Sequence, residues 1–296
     1  MTDLVSVVVP VGRVDADLDT QLSALVAQDA ATPFEVVLAR NTSAPDEVAA
    51  LDATVARLDD ERFRVVDASS RRGAAHARNA GAAAARGSVL AFCDSDDFVE
   101  PSWLGELVGG LEGHDAVCGH TIDVGLTERQ ARARPPATPD ALPTFMGVPY
   151  LLSGCLAIGR PLFEEVGGFD EDLHRCEDIA LSWKLLGSGF TIGFVPEAVL
   201  HYRHRPGLVP MLRQHFHYGR GMAQVLMRYG IPEGEGWDRP SGMGLMRANS
   251  QPGGGRSLLG TARRLALGAG RAFGIIEERV RARRSRDRTG LTGAER

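Results

Sequence analysis

The chain has 296 residues, of which 44% are hydrophobic and 24% charged, a composition typical of a folded protein with an extensive core. Its net charge of −5 excludes a uniformly basic nucleic-acid binder. The four cysteines form no CxxC pair, no secretory signal is recognisable, and no apolar stretch is long enough to span a membrane. These observations predict a protein of a reducing, cytoplasmic compartment.

The first 111 residues alternate between apolar strands and amphipathic helices. The predicted strands are 4–9, 34–39, 62–67 and 88–93, and the predicted helices are 18–28, 46–58, 74–86 and 101–111. This alternation is typical of βαβ units and predicts an α/β fold, with a mainly parallel Rossmann-like sheet flanked by helices. Ligands of such sheets bind beyond the carboxyl ends of the strands, so the residues after each strand are candidates for a site.

A Pro- and Arg-rich segment over residues 129–149 interrupts this pattern and predicts a functional loop. Beyond it we predict strands over 153–158 and 191–195, and helices over 160–166, 178–187 and 208–229. The Gly- and Pro-rich residues that follow are interpreted as a linker to a basic tail.

The charge is distributed unevenly between this tail and the rest of the chain. Residues 256–296 contain eleven arginines and four acids, a net charge of +7, whereas the preceding 255 residues carry a net charge of −12. This asymmetry predicts an acidic folded body and a basic tail that contacts an anionic partner.

Three carboxylates follow the fourth predicted strand, namely Asp94, Asp96 and Asp97. Like charges this close repel one another unless a cation neutralises them. Carboxylate oxygens at a strand end suit Mg²⁺ or Mn²⁺, and either ion can bridge to the phosphates of a nucleotide. The alternative is structural, with Asp96 or Asp97 capping the helix that begins near Pro101.

Two further sites have both a structural and a chemical interpretation. Glu177 and Asp178 begin a predicted helix, where the helix dipole favours acids. The chemical alternative is a carboxylate that accepts a proton from an incoming hydroxyl. His201 follows the strand predicted over 191–195 and is either an ordinary polar residue or a metal ligand.

Motifs in both halves of the chain together resemble the glycosyltransferases of family 2. In the first half they are SVVVP at 6–10, RG at 72–73, ARNAG at 77–81 and FCDSDD at 92–97. In the second half they are GCLAI at 154–158, VGGFDE at 166–171, EDIAL at 177–181 and VPEAV at 195–199. The resemblance covers roughly residues 5–204. It implies the GT-A fold, with a nucleotide-sugar half over 1–125, an acceptor half over 126–230, a linker over 231–255 and a helical extension over 256–296.

Carried over by position, the resemblance implies a role for each matching residue. Asp94 and Asp96 correspond to the DxD pair, which meets the ribose and the diphosphate-bound Mn²⁺ or Mg²⁺. Asp178 corresponds to the catalytic base, with Glu177 beside it, and His201 to a histidine that helps to hold the metal or the diphosphate. The implied donor-binding residues are Pro10, Val11, Asn41, Arg72, Arg78, Asp94, Ser95 and Asp96.

The chemistry implied is the transfer of one sugar from a nucleotide-sugar donor to an acceptor hydroxyl. A divalent cation stabilises the negative charge on the departing diphosphate, while the base deprotonates the acceptor on the opposite side. Such a single displacement inverts the anomeric centre. The acceptor is a sugar, a lipid-linked glycan or a small molecule, and the sequence does not choose among these.

Some positions depart from the family pattern. Arg40 stands where many members have an acid that reads the base, Arg71 replaces a common Asn, and Gly12 lies where the family tends to have other residues. Guanosine- and thymidine-linked donors therefore stay open beside uridine-linked ones. The departures also leave open a degenerate member that binds a nucleotide, a partner or a membrane without catalysis. No QxxRW sequence follows Asp178, which disfavours processive polymer synthesis.

Residues 256–284 combine an apolar helical stripe with many arginines. The stripe consists of Leu258, Ala262, Leu265, Ala266, Ala269, Phe273, Ile276 and Val280. A basic amphipathic helix can lie on an anionic membrane, which suits a lipid-linked acceptor and a peripheral position at the inner face of the membrane. The alternative is a helix packed on its own domain or on a partner.

Overall fold

The computed structural model describes residues 4–126, 141–204, 207–233 and 258–291. Its strands are β1 (Val5–Val11), β2 (Phe34–Arg40), β3 (Phe63–Asp67), β4 (Val89–Cys93), β5 (Phe98–Val99), β6 (Ala116–Val124), β7 (Thr144–Phe145), β8 (Val148–Pro149), β9 (Cys155–Gly159) and β10 (Ile192–Arg203). Its helices are α1 (Ala16–Val26), α2 (Pro45–Leu58), α3 (Ala74–Ala84), α4 (Trp103–Gly110), α5 (Arg160–Glu165), α6 (Glu177–Gly187), α7 (Leu208–Tyr229) and α8 (Leu258–Leu291).

Eight of the strands form one sheet in the order β3-β2-β1-β4-β9-β6-β10-β5. The first four in this order are parallel to one another, and β6 is parallel to β10. In contrast, β9 is antiparallel to both of its neighbours, β4 and β6, and the short β5 is antiparallel to β10. The predicted α/β fold with a mainly parallel sheet flanked by helices is therefore confirmed.

Burial explains why the first strands were recognisable in the sequence. Every residue of β1 is buried, because helices cover both faces of the sheet at its centre. Helix α3 packs closely on this strand, since a Cβ atom at Gly81 would overlap the side chain of Val8. This close packing fixes the position of Arg78, which lies one helical turn earlier in α3.

The second half of the sheet differs from the prediction in two places. Strand β6 was not predicted, because only its first residues are buried and apolar while those from His120 onward are partly or fully exposed. Strand β10 was predicted to end at Val195, but it continues to Arg203 through a register shift between Val195 and Val199. His201 therefore lies within a strand and not after one.

Residues 129–140 of the predicted functional loop, and most of the predicted linker, lie outside the described residues. The remainder of the loop contains a short hairpin of β7 and β8. Its turn holds Met146 and Gly147 at positive φ angles of 56° and 78°.

Helix α8 packs along α7, and the two helices run in the same direction. Phe216 meets Gly270, and Arg220 meets Gly274, so the contacts advance together along both helices. A Cβ atom at Gly219 would overlap the carbonyl oxygen of Leu267 in α8. The absence of side chains at these glycines allows the two backbones to touch.

Ion pairs add to this packing. Arg220 donates two hydrogen bonds to the Glu277 carboxylate, from Nε at 2.5 Å and from Nη2 at 2.8 Å. Arg228 Nη2 lies 2.6 Å from Glu278 Oε1. Both acids of this part of α8 are thus neutralised on the side that faces the domain. Across the described ranges, no helix is long and apolar enough to cross a membrane.

Candidate active site

The acidic cluster lies at the carboxyl end of β4, where the chain leaves the centre of the sheet. One carboxylate oxygen from each of Asp94, Asp96 and Asp97 lies within 4.8 Å of the others. Gln21 in α1 donates to the backbone oxygen of Asp94 at 3.0 Å. Gly154 leaves room for the Asp94 side chain, since a Cβ at Gly154 would come within 3.1 Å of Asp94 Oδ2. The arrangement can hold a divalent cation.

Asp97 supplies the strongest evidence that the cluster fits a cation. Its side chain is buried, and its Oδ1 accepts a hydrogen bond from the backbone N–H of Arg203 at 2.8 Å. Its Oδ2 has no hydrogen-bond partner within the described part of the chain. Burial and the neighbouring Asp94 raise the pKa of Asp97 to about 8. A cation would supply the missing partner and relieve the repulsion.

The structural alternative for the cluster was a cap on the following helix. The N-cap of α4 is Ser102, so neither Asp96 nor Asp97 occupies that position. The geometry therefore favours the metal-binding interpretation of the acidic residues.

Arg78 connects the acidic cluster to the second predicted motif. Its Nη2 lies 2.5 Å from Asp94 Oδ1, and its Nη1 lies 2.8 Å from Glu177 Oε1. The side chains of Arg78 and Glu177 are 3% and 8% exposed, so this ion pair is shielded from water. Burial lowers the pKa of Arg78, but the two carboxylates outweigh burial and raise it. The pair of Arg78 and Glu177 thus joins two residues that lie 99 positions apart in the chain.

Asp178 follows Glu177 at the start of α6. Burial and the charge of Glu177 raise the pKa of Asp178 to about 7, although the N–H of Ile179 donates to its Oδ1 at 2.8 Å. The backbone oxygen of Asp178 accepts a bond from Ser182, which in turn accepts one from the N–H of Leu151. A firmly held carboxyl group with a pKa near neutrality is suited to accept a proton from a hydroxyl.

His201 lies apart from the group of three carboxylates. Its Nε2 is 2.6 Å from Glu100 Oε1, and its ring stacks on Phe98 with a centroid distance of 4.4 Å. Because Glu100 occupies one ring nitrogen, the predicted contact of His201 with a metal or diphosphate stays a prediction.

The predicted donor-binding residues lie at the carboxyl ends of the parallel strands. Pro10 and Val11 end β1 and are buried, Ser95 is half-buried within the acidic cluster, and Arg72 is exposed on the loop after β3. Asn41 has a role that was not predicted. Its amide donates to the carbonyls of Ala68 and Arg71, and its Oδ1 accepts from the N–H of Gly73. These are the bonds of a residue that shapes the loop.

Arg40, which departs from the family pattern, is paired. Its Nη2 lies 3.0 Å from Asp67 Oδ2, and its Nη1 donates to the carbonyl of Thr42. Asp67, at the end of β3, thus places a carboxylate beside Arg40, the last residue of β2, where many family members have an acid. Two charged side chains of opposite sign are available there to a ligand.

Sequence reasoning missed several residues around the site. Gln21 is fully buried on the apolar face of α1, between Leu18 and Leu22, and a polar residue at such a position was a usable signal. Gln214 of α7 donates to the hydroxyls of Tyr202 and Tyr218 at 3.1 and 3.2 Å. The contact of Gln214 with Tyr202 depends on the unpredicted end of β10, so no pattern in the sequence pointed to Gln214.

Comparison with known proteins identifies relatives of this arrangement. The model of the family described as glycosyl transferase family 2 matches residues 6–167. A pre-mycofactocin glycosyltransferase of Mycobacterium tuberculosis is 28% identical over an alignment 179 residues long. The alignment covers 53% of this chain and 36% of that protein. The chain therefore corresponds to little more than a third of the length of this relative.

Solved structures resemble the fold. The mannosyltransferase PcManGT of Pyrobaculum calidifontis, in complex with GDP-Man and Mn²⁺, has a TM-score of 0.61 at 21% identity, over 90% of this chain and 73% of that one. TarS of S. aureus in complex with UDP-GlcNAc has a TM-score of 0.55 at 18% identity, over 77% of this chain and 67% of that one. The predicted GT-A fold is confirmed.

Proposed function

Because the chain belongs to glycosyl transferase family 2, we propose that it transfers a single sugar from a nucleotide-sugar donor to an acceptor hydroxyl, with inversion at the anomeric carbon. The observation that carries this proposal is the buried bridge of Arg78. This bridge holds Asp94 of the acidic cluster and Glu177, the neighbour of Asp178, at fixed positions. The two groups that the reaction needs, one for the departing diphosphate and one for the acceptor, are thus parts of one rigid unit.

Asp94 and Asp96 would hold Mn²⁺ or Mg²⁺, with Asp97 beside them. When bound, such an ion supplies positive charge that stabilises the departing diphosphate. Asp178 accepts the proton of the acceptor hydroxyl, because its raised pKa makes it a stronger base than an ordinary carboxylate. Glu177 and Arg78 act as positioning residues. In this proposal Pro10, Val11, Ser95 and Arg72 bind the donor, and Asn41 keeps the loop after β3 in place.

The identity of the donor base follows from a thermal-shift experiment on the full chain. UDP-, GDP- and dTDP-linked sugars are each tested with and without Mn²⁺. A ligand that binds only the folded state stabilises it by about 2.7 kcal/mol at a hundredfold excess over Kd. We expect a metal-dependent rise in Tm with one nucleotide class and loss of that rise in Asp96→Ala.

The matched control for this experiment is Asp52→Ala, since Asp52 is an exposed acid of α2 far along the chain from the cluster. Asp52→Ala should respond like the wild type. A rise in Tm that survives Asp96→Ala would contradict the assignment of the metal site. If no donor changes Tm, a non-catalytic binding protein becomes the better interpretation.

We also propose that the outer face of α8 rests on an anionic membrane. Leu265, Phe273, Ile276 and Val280 are 69%, 47%, 59% and 42% exposed and fall on one side of the helix. The exposed arginines Arg264, Arg279 and Arg283 accompany them. The acids of this helix segment face the domain, where Arg220 and Arg228 neutralise them, so the outer face is both apolar and cationic. Such a face binds anionic lipid, at about 1 kcal/mol for each arginine near the surface.

Vesicle flotation tests this surface. We expect the full chain to float with vesicles that contain phosphatidylglycerol and to stay behind with pure phosphatidylcholine. Ile276→Asp should reduce the bound fraction about tenfold, because it places a charge within the apolar stripe. Val26→Asp, at an exposed apolar position of α1, is the matched control and should float like the wild type. Equal flotation of both variants would refute the proposed surface.

A further inference from the structure

A group of cationic side chains lies where the loop before α6 meets α7. We call it the cationic cluster, and its members are His174, Arg175, Arg213 and His217. The ring centroids of His174 and His217 are 5.0 Å apart. The loop lies directly on α7, since a Cβ at Gly221 would overlap the carbonyl oxygen of Arg175.

The cationic cluster lacks counter-charge. Over the residues described, Arg175 and Arg213 have no ion pair with an acid, whereas the nearby Arg220 is paired with Glu277. Two nitrogen atoms, Arg175 Nε on the loop and His217 Nδ1 on α7, are also shielded from solvent without a hydrogen-bond partner in this part of the chain. Buried donors of charged groups are rarely left unpaired, because each unmade bond is costly.

The side chains of the cluster also disfavour one another's charge. Burial lowers the pKa of His217, and so do His174, Arg175 and Arg213. Burial and Arg175 likewise lower the pKa of His174, against an opposing effect of Glu177. An anion with several oxygens would provide both the missing hydrogen bonds and the missing negative charge.

We propose that the cationic cluster binds a phosphate or diphosphate group carried by the acceptor. The inference rests on the proposed function, which places the acceptor hydroxyl at Asp178. Arg175 lies three residues before Asp178, and Glu177 influences His174, so the cluster adjoins the base. The donor diphosphate would instead meet Asp94 and Asp96 of the acidic cluster, where Arg78 joins Asp94 to Glu177. The acceptor is therefore an anionic substrate, either a soluble sugar phosphate or a lipid diphosphate.

The test uses the full chain in EDTA, so that no metal at the acidic cluster can bind the probes. Glucose 1-phosphate, farnesyl diphosphate below its micelle concentration and inorganic pyrophosphate are titrated separately by calorimetry. We expect at least one organic probe to bind. Arg175→Gln and Arg213→Gln, one on the loop and one on α7, should each weaken that binding about tenfold, because each removes a charged hydrogen-bond donor. Arg279→Gln removes an equal charge from the exposed face of α8 and should bind like the wild type.

Binding of glucose 1-phosphate supports a soluble acceptor, and binding of farnesyl diphosphate alone supports a lipid-linked one. No binding in any arm, or equal binding by all variants, overturns the proposal. If Arg175→Gln and Arg213→Gln abolish the metal-dependent shift with nucleotide sugars, the cluster serves the donor, and the acceptor assignment is wrong. If instead the wild type shows no nucleotide-sugar shift, the proposed function fails separately, since the titrations in EDTA do not depend on it.

Discussion

Asp178→Asn is expected to lower kcat about 10³-fold while leaving the affinity for the nucleotide sugar unchanged. The amide has nearly the same shape and can still accept the bond from the N–H of Ile179, but it cannot take a proton from the acceptor. Steady-state kinetics with a donor and an acceptor identified as above measure the effect. Asp52→Asn, which makes the same chemical change on the exposed surface of α2, is the matched control. A kcat within about threefold of the wild type would contradict the assignment of the base.

The pH dependence of the rate gives an independent measure of the same group. Asp178 must be deprotonated to act as the base, and its pKa is raised to about 7 by burial and by Glu177. We therefore expect kcat/KM to rise with pH up to about 7 and to fall about tenfold for each pH unit below it. The residual activity of Asp178→Asn should lack this limb, whereas Asp52→Asn should keep it.

Arg78→Met is expected to lower the free energy of unfolding by about 3–5 kcal/mol, because it leaves buried carboxylates without their partner. Glu177 is the more affected of the two, since its side chain is 8% exposed compared with 28% for Asp94. Chemical denaturation followed by circular dichroism measures the loss. The control is Arg57→Met, because Arg57 forms an ion pair with Asp19 in which both side chains are mostly exposed. Removal of such a pair costs at most about 1 kcal/mol.

A double variant separates the loss of charge pairing from the loss of packing. Glu177→Gln removes the unpaired buried charge that Arg78→Met creates, so the double variant should be more stable than Arg78→Met alone. If Glu177→Gln adds its own destabilisation without any recovery, the two residues are energetically independent, and Arg78 does not hold the two motifs together.

The sequence predicted those parts of the fold and site that depend on local pattern. Strands β1, β2 and β4 were recognisable because most of their residues are buried and apolar, and the acidic cluster was recognisable because three carboxylates follow β4. Asp97, the most buried of the three, was not among the residues matched to the DxD pair, and its hydrogen bond from the backbone of Arg203 on the distant β10 could not be predicted. The extension of β10 was missed because Pro196 looked like a turn, whereas the strand absorbs it in a register shift.

Residues that act through distant contacts could not be predicted from pattern. Resemblance assigned Arg78 to the diphosphate, but nothing in the sequence indicated its bond to Glu177, 99 positions later. Asn41 was assigned to the donor, and nothing in the sequence indicated that its amide also donates to the carbonyls of Ala68 and Arg71. The cationic cluster draws residues from the loop before α6 and from α7, and only their packing brings these charges together.

The antiparallel strand β9 has a consequence for motion within the protein. It belongs to the second half of the chain, yet it lies between β4 and β6 and pairs residue by residue with β4 from Val89↔Gly159 to Cys93↔Cys155. Rotation of one half against the other, as in hinged enzymes, would break this continuous backbone ladder. Opening and closing around substrates is therefore confined to loops and side chains at the edge of the sheet, while its centre behaves as one stiff body.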